Sequence, residues 1–181
     1  MKILFLDHDG VICLKDNFGT RFKKGFHLDN SILNRFDDFD KESIKVLNDI
    51  IKQTDCEIVV SSDWRHLVSI EEMGMYYEYH GVLKKPFDFT PSINDIEIPI
   101  NFEWERFYDL EQSRGMEIKE WLKKHPEVTQ WVAVDDMNLG LYDETYGSNE
   151  IWGLSNFVLT GFDNEGIKEM GIKEKIIKFL E

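Results

Sequence analysis

Two pairs of carboxylates stand where short apolar runs end. Ile3, Leu4, Phe5 and Leu6 run directly into Asp7-His8-Asp9-Gly10, and Trp131-Val132-Ala133-Val134 runs into Asp135-Asp136. Carboxylates gathered at the ends of buried strands are costly unless a cation or hydrogen-bond donors compensate them. A third run, Glu57-Ile58-Val59-Val60, ends in Ser61-Ser62-Asp63-Trp64-Arg65. Hydroxyls, nearby backbone N–H groups and the planar fork of Arg65 are donors suited to phosphate oxygens. Arg114 lies where a helical pattern opens, so it reads as a cation at or just before a helix N-terminus, a place that favours anions. Four acids near one point, without His or Cys as co-ligands, select Mg²⁺. Each piece also has a plain reading: an Asp/Gly turn, a Ser-Ser helix cap, a solvated arginine. Two strands that both end in paired acids make the plain reading of the whole set unattractive.

The elements that hold these residues follow from hydrophobic patterning. The run 3–6 suits a strand buried on both faces of a parallel sheet, and Gly10 lets the chain turn sharply away. Residues 13–39 lack clear periodicity; Gly19, Gly25, Arg21, Lys23 and Lys24 read as a charged loop or small hairpin flap. Asp40 reads as an N-cap for a helix with Ile44, Leu47, Ile50 and Ile51 on one face, ending near Gln53. Strand, helix, strand in that order is a βαβ unit with the strand ends side by side. Residues 66–112 are the least regular. Leu67, Ile70, Met73 and Tyr77 predict a helix, after which Pro86, Pro91, Pro99, Phe102, Trp104, Phe107 and Tyr108 mark an irregular or partly β insertion. Trp64 reads as a core or lid-packing residue. Ile118, Trp121 and Leu122 define a further helix that Pro126 ends, Phe157-Val158-Leu159-Thr160 a fourth strand, and Ile172, Ile176 and Leu180 a terminal helix.

Composition narrows the class. The chain has 181 residues, 42% of them hydrophobic and 13% aromatic, enough for one domain with a substantial core. The formal charge is −14, and residues 67–112 contribute 3 basic against 10 acidic side chains. Such a surface repels a nucleic-acid backbone unless basic residues cluster locally, as Arg21, Lys23, Lys24 and Arg65 would. Cys13 and Cys56 have no metal-ligand spacing, and two cysteines make a disulfide framework improbable. The first apolar run is too short for a secretory leader, and no stretch approaches membrane-spanning length. The expectation is a soluble protein of the cytoplasm, with no membrane association.

Asp7-x-Asp9-Gly10 after a strand, Ser61 ending a second, a basic residue opening a helix and Asp135-Asp136 ending a third resemble the haloacid-dehalogenase-like (HAD) superfamily. The four motifs occur in order across nearly the whole chain. Ser61-Ser-Asp-Trp-Arg65, Thr90-Pro91 and Arg114-Gly-Met-Glu-Ile-Lys-Glu-Trp-Leu122 look like the small HAD phosphatase domains associated with nucleic-acid repair proteins. The resemblance implies one domain over 1–181, a three-layer α/β/α, Rossmann-like fold with a central mostly parallel sheet. A small cap or subdomain over 66–112 would separate the second and third motifs. It further implies a phosphomonoester hydrolase in which Asp7, ionised at neutral pH, attacks phosphorus, and Asp9 protonates the leaving alcohol and later accepts a proton from water. Ser61 and Arg114 would stabilise the phosphoryl oxygens, with Lys119 as the alternative base, and Gly10, Ser62 and Arg65 would contact substrate. Mg²⁺ would be held by Asp7, the carbonyl of Asp9, Asp135 and Asp136. The substrate class so implied is a nucleotide or a nucleic-acid 3′-phosphate end. An unrelated phosphometabolite, or a non-catalytic binding module, are the alternatives.

Overall fold

The strands in chain order are β1 (Lys2–Leu6), β2 (Glu57–Val60), β3 (Asp88–Phe89), β4 (Gln130–Asp135), β5 (Tyr142–Asp143), β6 (Gly147–Ser148) and β7 (Phe157–Leu159). The computed structural model describes residues 1–23, 31–96, 110–143, 147–148, 151–161 and 164–181. Five strands form one parallel sheet in the order β3-β2-β1-β4-β7, while β5 and β6 pair separately as an antiparallel ribbon. The helices are α1 (Thr20–Lys23), α2 (Ile32–Arg35), α3 (Lys41–Thr54), α4 (Ile70–Tyr79), α5 (Leu110–Lys124) and α6 (Ile172–Leu180). Among the described residues no helix is long and apolar enough to cross a membrane.

Strand alternation builds the two cores. Leu4, Leu6, Ile58, Val60, Val132, Val134 and Val158 pack with α3, α4 and α6, whereas Ile3, Phe5, Val59 and Ala133 pack with Ile118 and Trp121 of α5. The sheet is therefore covered on both faces, the three-layer α/β/α arrangement, and its strands are near-continuous apolar runs. Asp40 caps α3 as its position predicts, accepting from the Ser43 N–H at 2.8 Å. Ile172, Ile176 and Leu180 are buried along α6.

Three expectations change. Where described, the stretch 13–39 carries short helices, a 3₁₀ turn at Lys15–Asn17 followed by α1 and α2, with non-helical residues beside them; Lys24 and Gly25 lie outside the described residues. Four-residue helices are too short to show a periodic stripe, which is why the pattern reads as loop. Secondly, much of 66–112 is not an insertion. Met73, Tyr76 and Tyr77 bury one side of α4 against the sheet, and β3 extends the sheet beside β2 with Val60 opposite Phe89. The two-residue β3 is pinned from α5, whose Trp121 indole N–H donates to Asp88 at 2.7 Å. Pro99, Phe102, Trp104, Phe107 and Tyr108 lie outside the described residues. Thirdly, α5 begins at Leu110, so Arg114 sits in its second turn and not at its N-terminus.

The close seat of α5 depends on Gly115, because a Cβ there would overlap the backbone carbonyl of Trp152. Gly115→Ala should therefore lower unfolding free energy by about 1–3 kcal/mol despite alanine's better helix propensity. Urea denaturation followed by circular dichroism tests this, and an unchanged or raised midpoint would contradict it.

Candidate active site

The ends of three adjacent strands meet at one level. Leu6 is in register with both Val60 and Val134, so the next residues, Asp7, Ser61 and Asp135, stand side by side. Alternation then decides their direction. Phe5, Val59 and Ala133 face α5, and residues two further along the same strands face that side too. Arg114 of α5 meets them there: its Nη1 lies 3.1 Å from Asp7 Oδ1 and 2.9 Å from Asp135 Oδ2. Its Nη2 lies 3.3 Å from the exposed Asp63. The Asp7 and Asp135 side chains and the Arg114 guanidinium are all nearly excluded from solvent. Asp135 also accepts from the Met137 N–H at 2.9 Å.

The turn after β1 is wound around one carbonyl. The N–H groups of Val11, Ile12 and Cys13 all donate to His8 O, and Gly10 takes φ = 70°. A side chain at position 10 would be strained there and would overlap the carboxylate of Asp136. Glycine thus lets the two acidic turns approach. Thr160 donates from its hydroxyl to Gly10 O at 3.1 Å and ties this turn to the end of β7. Asp7, Asp135 and Asp136 offer carboxylate oxygens all within 4.8 Å of one another.

Burial dominates the titration of these acids. It raises the Asp7 carboxyl well above the ordinary carboxylate range, Asp135 adds to the rise, and Arg114 opposes it. Asp135 moves in the same direction by burial, again against Arg114. Burial and then Asp7 push Asp136 up to about 6. One guanidinium does not offset the desolvation of so many carboxylates, which is why an ionised Asp7 needs the charge shielding that the sequence reading assigns to Mg²⁺. Arg114 itself is held firmly protonated; burial works against its charge, but Asp7 and Asp135 more than offset that.

Asp9 belongs to the other side of the turn. Its Oδ2 accepts from the Trp64 indole N–H at 2.8 Å, and the Cys13 thiol is also hydrogen-bonded to it. Burial raises its pKa, while those two hydrogen bonds pull the other way. His8, between the two aspartates, points to the opposite face of the sheet, with Nε2 2.8 Å from the Tyr77 hydroxyl. Burial, and then Arg114, lowers its pKa to about 3, so it is a neutral packing histidine.

Arg65 and Ser62 are used differently from the sequence reading. The Arg65 guanidinium is buried and donates to the carbonyls of Ser61 and Ser62, both at 2.9 Å, and of Thr90 at 3.2 Å, and it pairs with Glu117. It braces the loop that carries Ser61 and faces no open space. The Ser62 hydroxyl caps the 3₁₀ turn Asp63–Leu67 through the Trp64 N–H. Lys119 reaches away from the carboxylates to the carbonyl of Ile151 at 3.0 Å, leaving Arg114 as the base beside Asp7. The sequence reading gives Glu117 and Asp63 no part in the site. Glu117 was the more findable, since i and i+3 share a helix face and Arg114 was already a candidate. Beside Arg114 opens a cleft of about 210 Å³, lined by the polar Asp63, His66, Asn94 and Ser113 and by the apolar Ile93 and Leu110, among others.

Residues 3–163 match the family model described as the HAD domain in Swiss Army Knife RNA repair proteins. The chain belongs to this family. No curated protein and no solved structure matches it. Membership in the HAD domain family points to a HAD-type hydrolase, and the apolar strands that end in acids are the sheet of that fold.

Two outcomes follow from the geometry of this HAD domain. Glu117→Ala leaves the buried Arg65 with only the exposed Asp63 as counter-ion and should cost about 3 kcal/mol in urea denaturation; a loss within error would contradict the bracing role. The second concerns pH. Asp7 and Asp136 keep protons in the folded chain that the unfolded chain has already released, so their contribution is complete below the ordinary value of 3.8 and is lost as pH rises. For Asp136 that window closes near its folded value of about 6; for Asp7 it extends higher. In EDTA, Tm should fall between about pH 5 and pH 8. Asp7→Asn should flatten the fall and raise Tm at the upper end, at about 2–4 °C per kcal/mol relieved. A wild-type Tm rising across that range would refute the assignment.

Proposed function

We propose that this domain is a Mg²⁺-dependent phosphomonoester hydrolase that works through an aspartyl-phosphate on Asp7. The observation that carries the reading is the convergence of Asp7, Ser61, Asp135 and Arg114 at the ends of adjacent parallel strands, with Asp9 held beside them. Ligands collect at the carboxyl ends of such strands.

The donor set fits a hard divalent cation. Asp7, Asp135 and Asp136 supply only oxygen, lie within one ion's reach of each other, and are raised in pKa by burial and by neighbouring carboxylates. With the carbonyl of Asp9 they would hold Mg²⁺. Bound there, the ion would supply charge that keeps Asp7 ionised and screens a phosphoryl group.

The residues then divide the work. An Asp7 carboxylate oxygen attacks phosphorus as the bond from phosphorus to the leaving oxygen breaks, and the leaving oxygen takes the proton of the Asp9 carboxyl. Water next attacks the phosphorus of the aspartyl-phosphate, gives its proton to Asp9, and releases phosphate and free Asp7. The Ser61 hydroxyl and Arg114 donate to the non-bridging oxygens throughout. Gly10 lets backbone approach the same oxygens.

The family description supports a phosphorylated nucleic-acid or nucleotide substrate. The charge of −14 favours entry of a phosphorylated terminus over binding along a strand. The cleft beside Arg114 has room for the group next to the phosphate. Free, buried Cys13 and Cys56 suit a reducing, cytoplasmic setting.

Phosphate release from an aryl phosphate, a 3′-phosphorylated oligonucleotide, a mononucleotide and a sugar phosphate, each with Mg²⁺ or EDTA, tests the reading. The expected result is Mg²⁺-dependent turnover, highest on the oligonucleotide or nucleotide. Asp7→Asn should reduce it by at least about 10³-fold with the fold intact by circular dichroism. Equal activity in Asp7→Asn would remove the nucleophile assignment. Turnover confined to the sugar phosphate would move the substrate to the metabolite class.

A further inference from the structure

The side chain that orients Asp9 is an aromatic one. Trp64 sits in the 3₁₀ turn that follows Ser62, and its indole N–H reaches Asp9 Oδ2 at 2.8 Å. The ring is fixed on several sides. It stacks on Phe36 with centroids 4.3 Å apart and an interplanar angle of 4°, lies nearly parallel to Phe39 at 5.8 Å, and meets His8 edge-on at 4.9 Å. Tyr76 closes a further side at 6.2 Å and donates its own hydroxyl to the carbonyl of Asp37 at 2.7 Å. Rings confined in this way have one orientation, so the N–H has one direction.

That direction matters for a proton-transferring carboxyl. An indole N–H can only donate, so it holds Oδ2 as the accepting oxygen and favours Oδ1 as the atom that carries the proton. Asp9 lies past the end of β1, and beside the Trp64 N–H its carboxyl has the Cys13 thiol, a weaker donor, to hold it. Proton transfer is sensitive to misplacement of that carboxyl. We propose that Trp64 is the positioning residue for Asp9, and that the Phe36–Phe39 wall, contributed by the segment between β1 and α3, holds the indole in its working orientation. The proposal rests on the hydrolase reading above.

Leaving-group dependence of kcat/KM tests it, because that parameter covers transfer to Asp7 and not the later release by water. An alkyl phosphate needs the proton from Asp9; an aryl phosphate with an acidic phenol needs it far less. Trp64→Phe should lower kcat/KM for the alkyl phosphate by about 10–100-fold, within the range of general acid contributions. For the aryl phosphate the change should be within about threefold, so the aryl-to-alkyl ratio rises. Replacing Trp64 by 3-benzothienylalanine, which keeps the ring shape but has sulfur in place of N–H, should give the same selective loss even if the smaller Phe loosens the wall. Equal losses on both substrates, or none with the isostere, would overturn the positioning role. If the wild-type protein hydrolyses neither substrate with Mg²⁺, the hydrolase reading fails and this inference fails with it.

Discussion

One buried guanidinium stands between two buried carboxylates at the mouth of the sheet, and the neighbouring structure is arranged around that contact. Arg114 brings a single positive charge to a point where Asp7 and Asp135 bring two negative ones, with Asp136 close by. In an environment of low polarity neither sign tolerates isolation, so the three side chains must be delivered together or not at all. The sheet delivers the acids through register and alternation, and α5 delivers the arginine through its close seat at Gly115. A shift of one residue in any strand would turn its acid to the opposite face.

Beneath this layer lies a second, built from Arg65 and Glu117. Arg65 gathers the carbonyls of Ser61, Ser62 and Thr90, while Glu117 joins that guanidinium to α5 and accepts from the Ile93 N–H at 2.8 Å. The loop bearing Ser61, the end of β3 and the helix bearing Arg114 are thereby referenced to one ion pair. Buried ion pairs contribute little net stability when compared with well-packed apolar residues, so their use here is geometric. Asp63, reached by both arginines, links the two layers at the solvent edge.

The framework was legible because its signals were strong. Four apolar runs became β1, β2, β4 and β7, Asp40 announced α3, and the stripe 172–176–180 announced α6. Asp7, Asp135 and Asp136 could be grouped because parallel strands align their ends. What escaped was what depends on partners far away in sequence. β3 has two residues and exists because β2 and Trp121 hold it. Arg65 reads as an open phosphate donor, since nothing local shows that three carbonyls and Glu117 enclose it. Trp64 was rightly read as packing, yet its N–H is 55 residues distant from the carboxylate it serves. No pattern in a single chain carries that information.

Under the proposed reaction, charge counting explains why a cation would join the arginine. A phosphomonoester adds about two negative charges at neutral pH. Arg114 offers one positive charge against Asp7, Asp135, Asp136 and Asp9, and burial raises the pKa of all four carboxyls. A protonated Asp7 is no nucleophile, so the ionised form must be secured before phosphorus can be attacked. The hydrogen bond from the Met137 N–H orients Asp135 but carries no net charge. The proposed cation would bring further positive charge to the point where Asp7, Asp135 and Asp136 converge. The deficit of positive charge makes the metal-free site a weak point in the fold. In the proposed reaction, destabilisation without a cation and activity with one would both follow from a single arrangement of carboxylates.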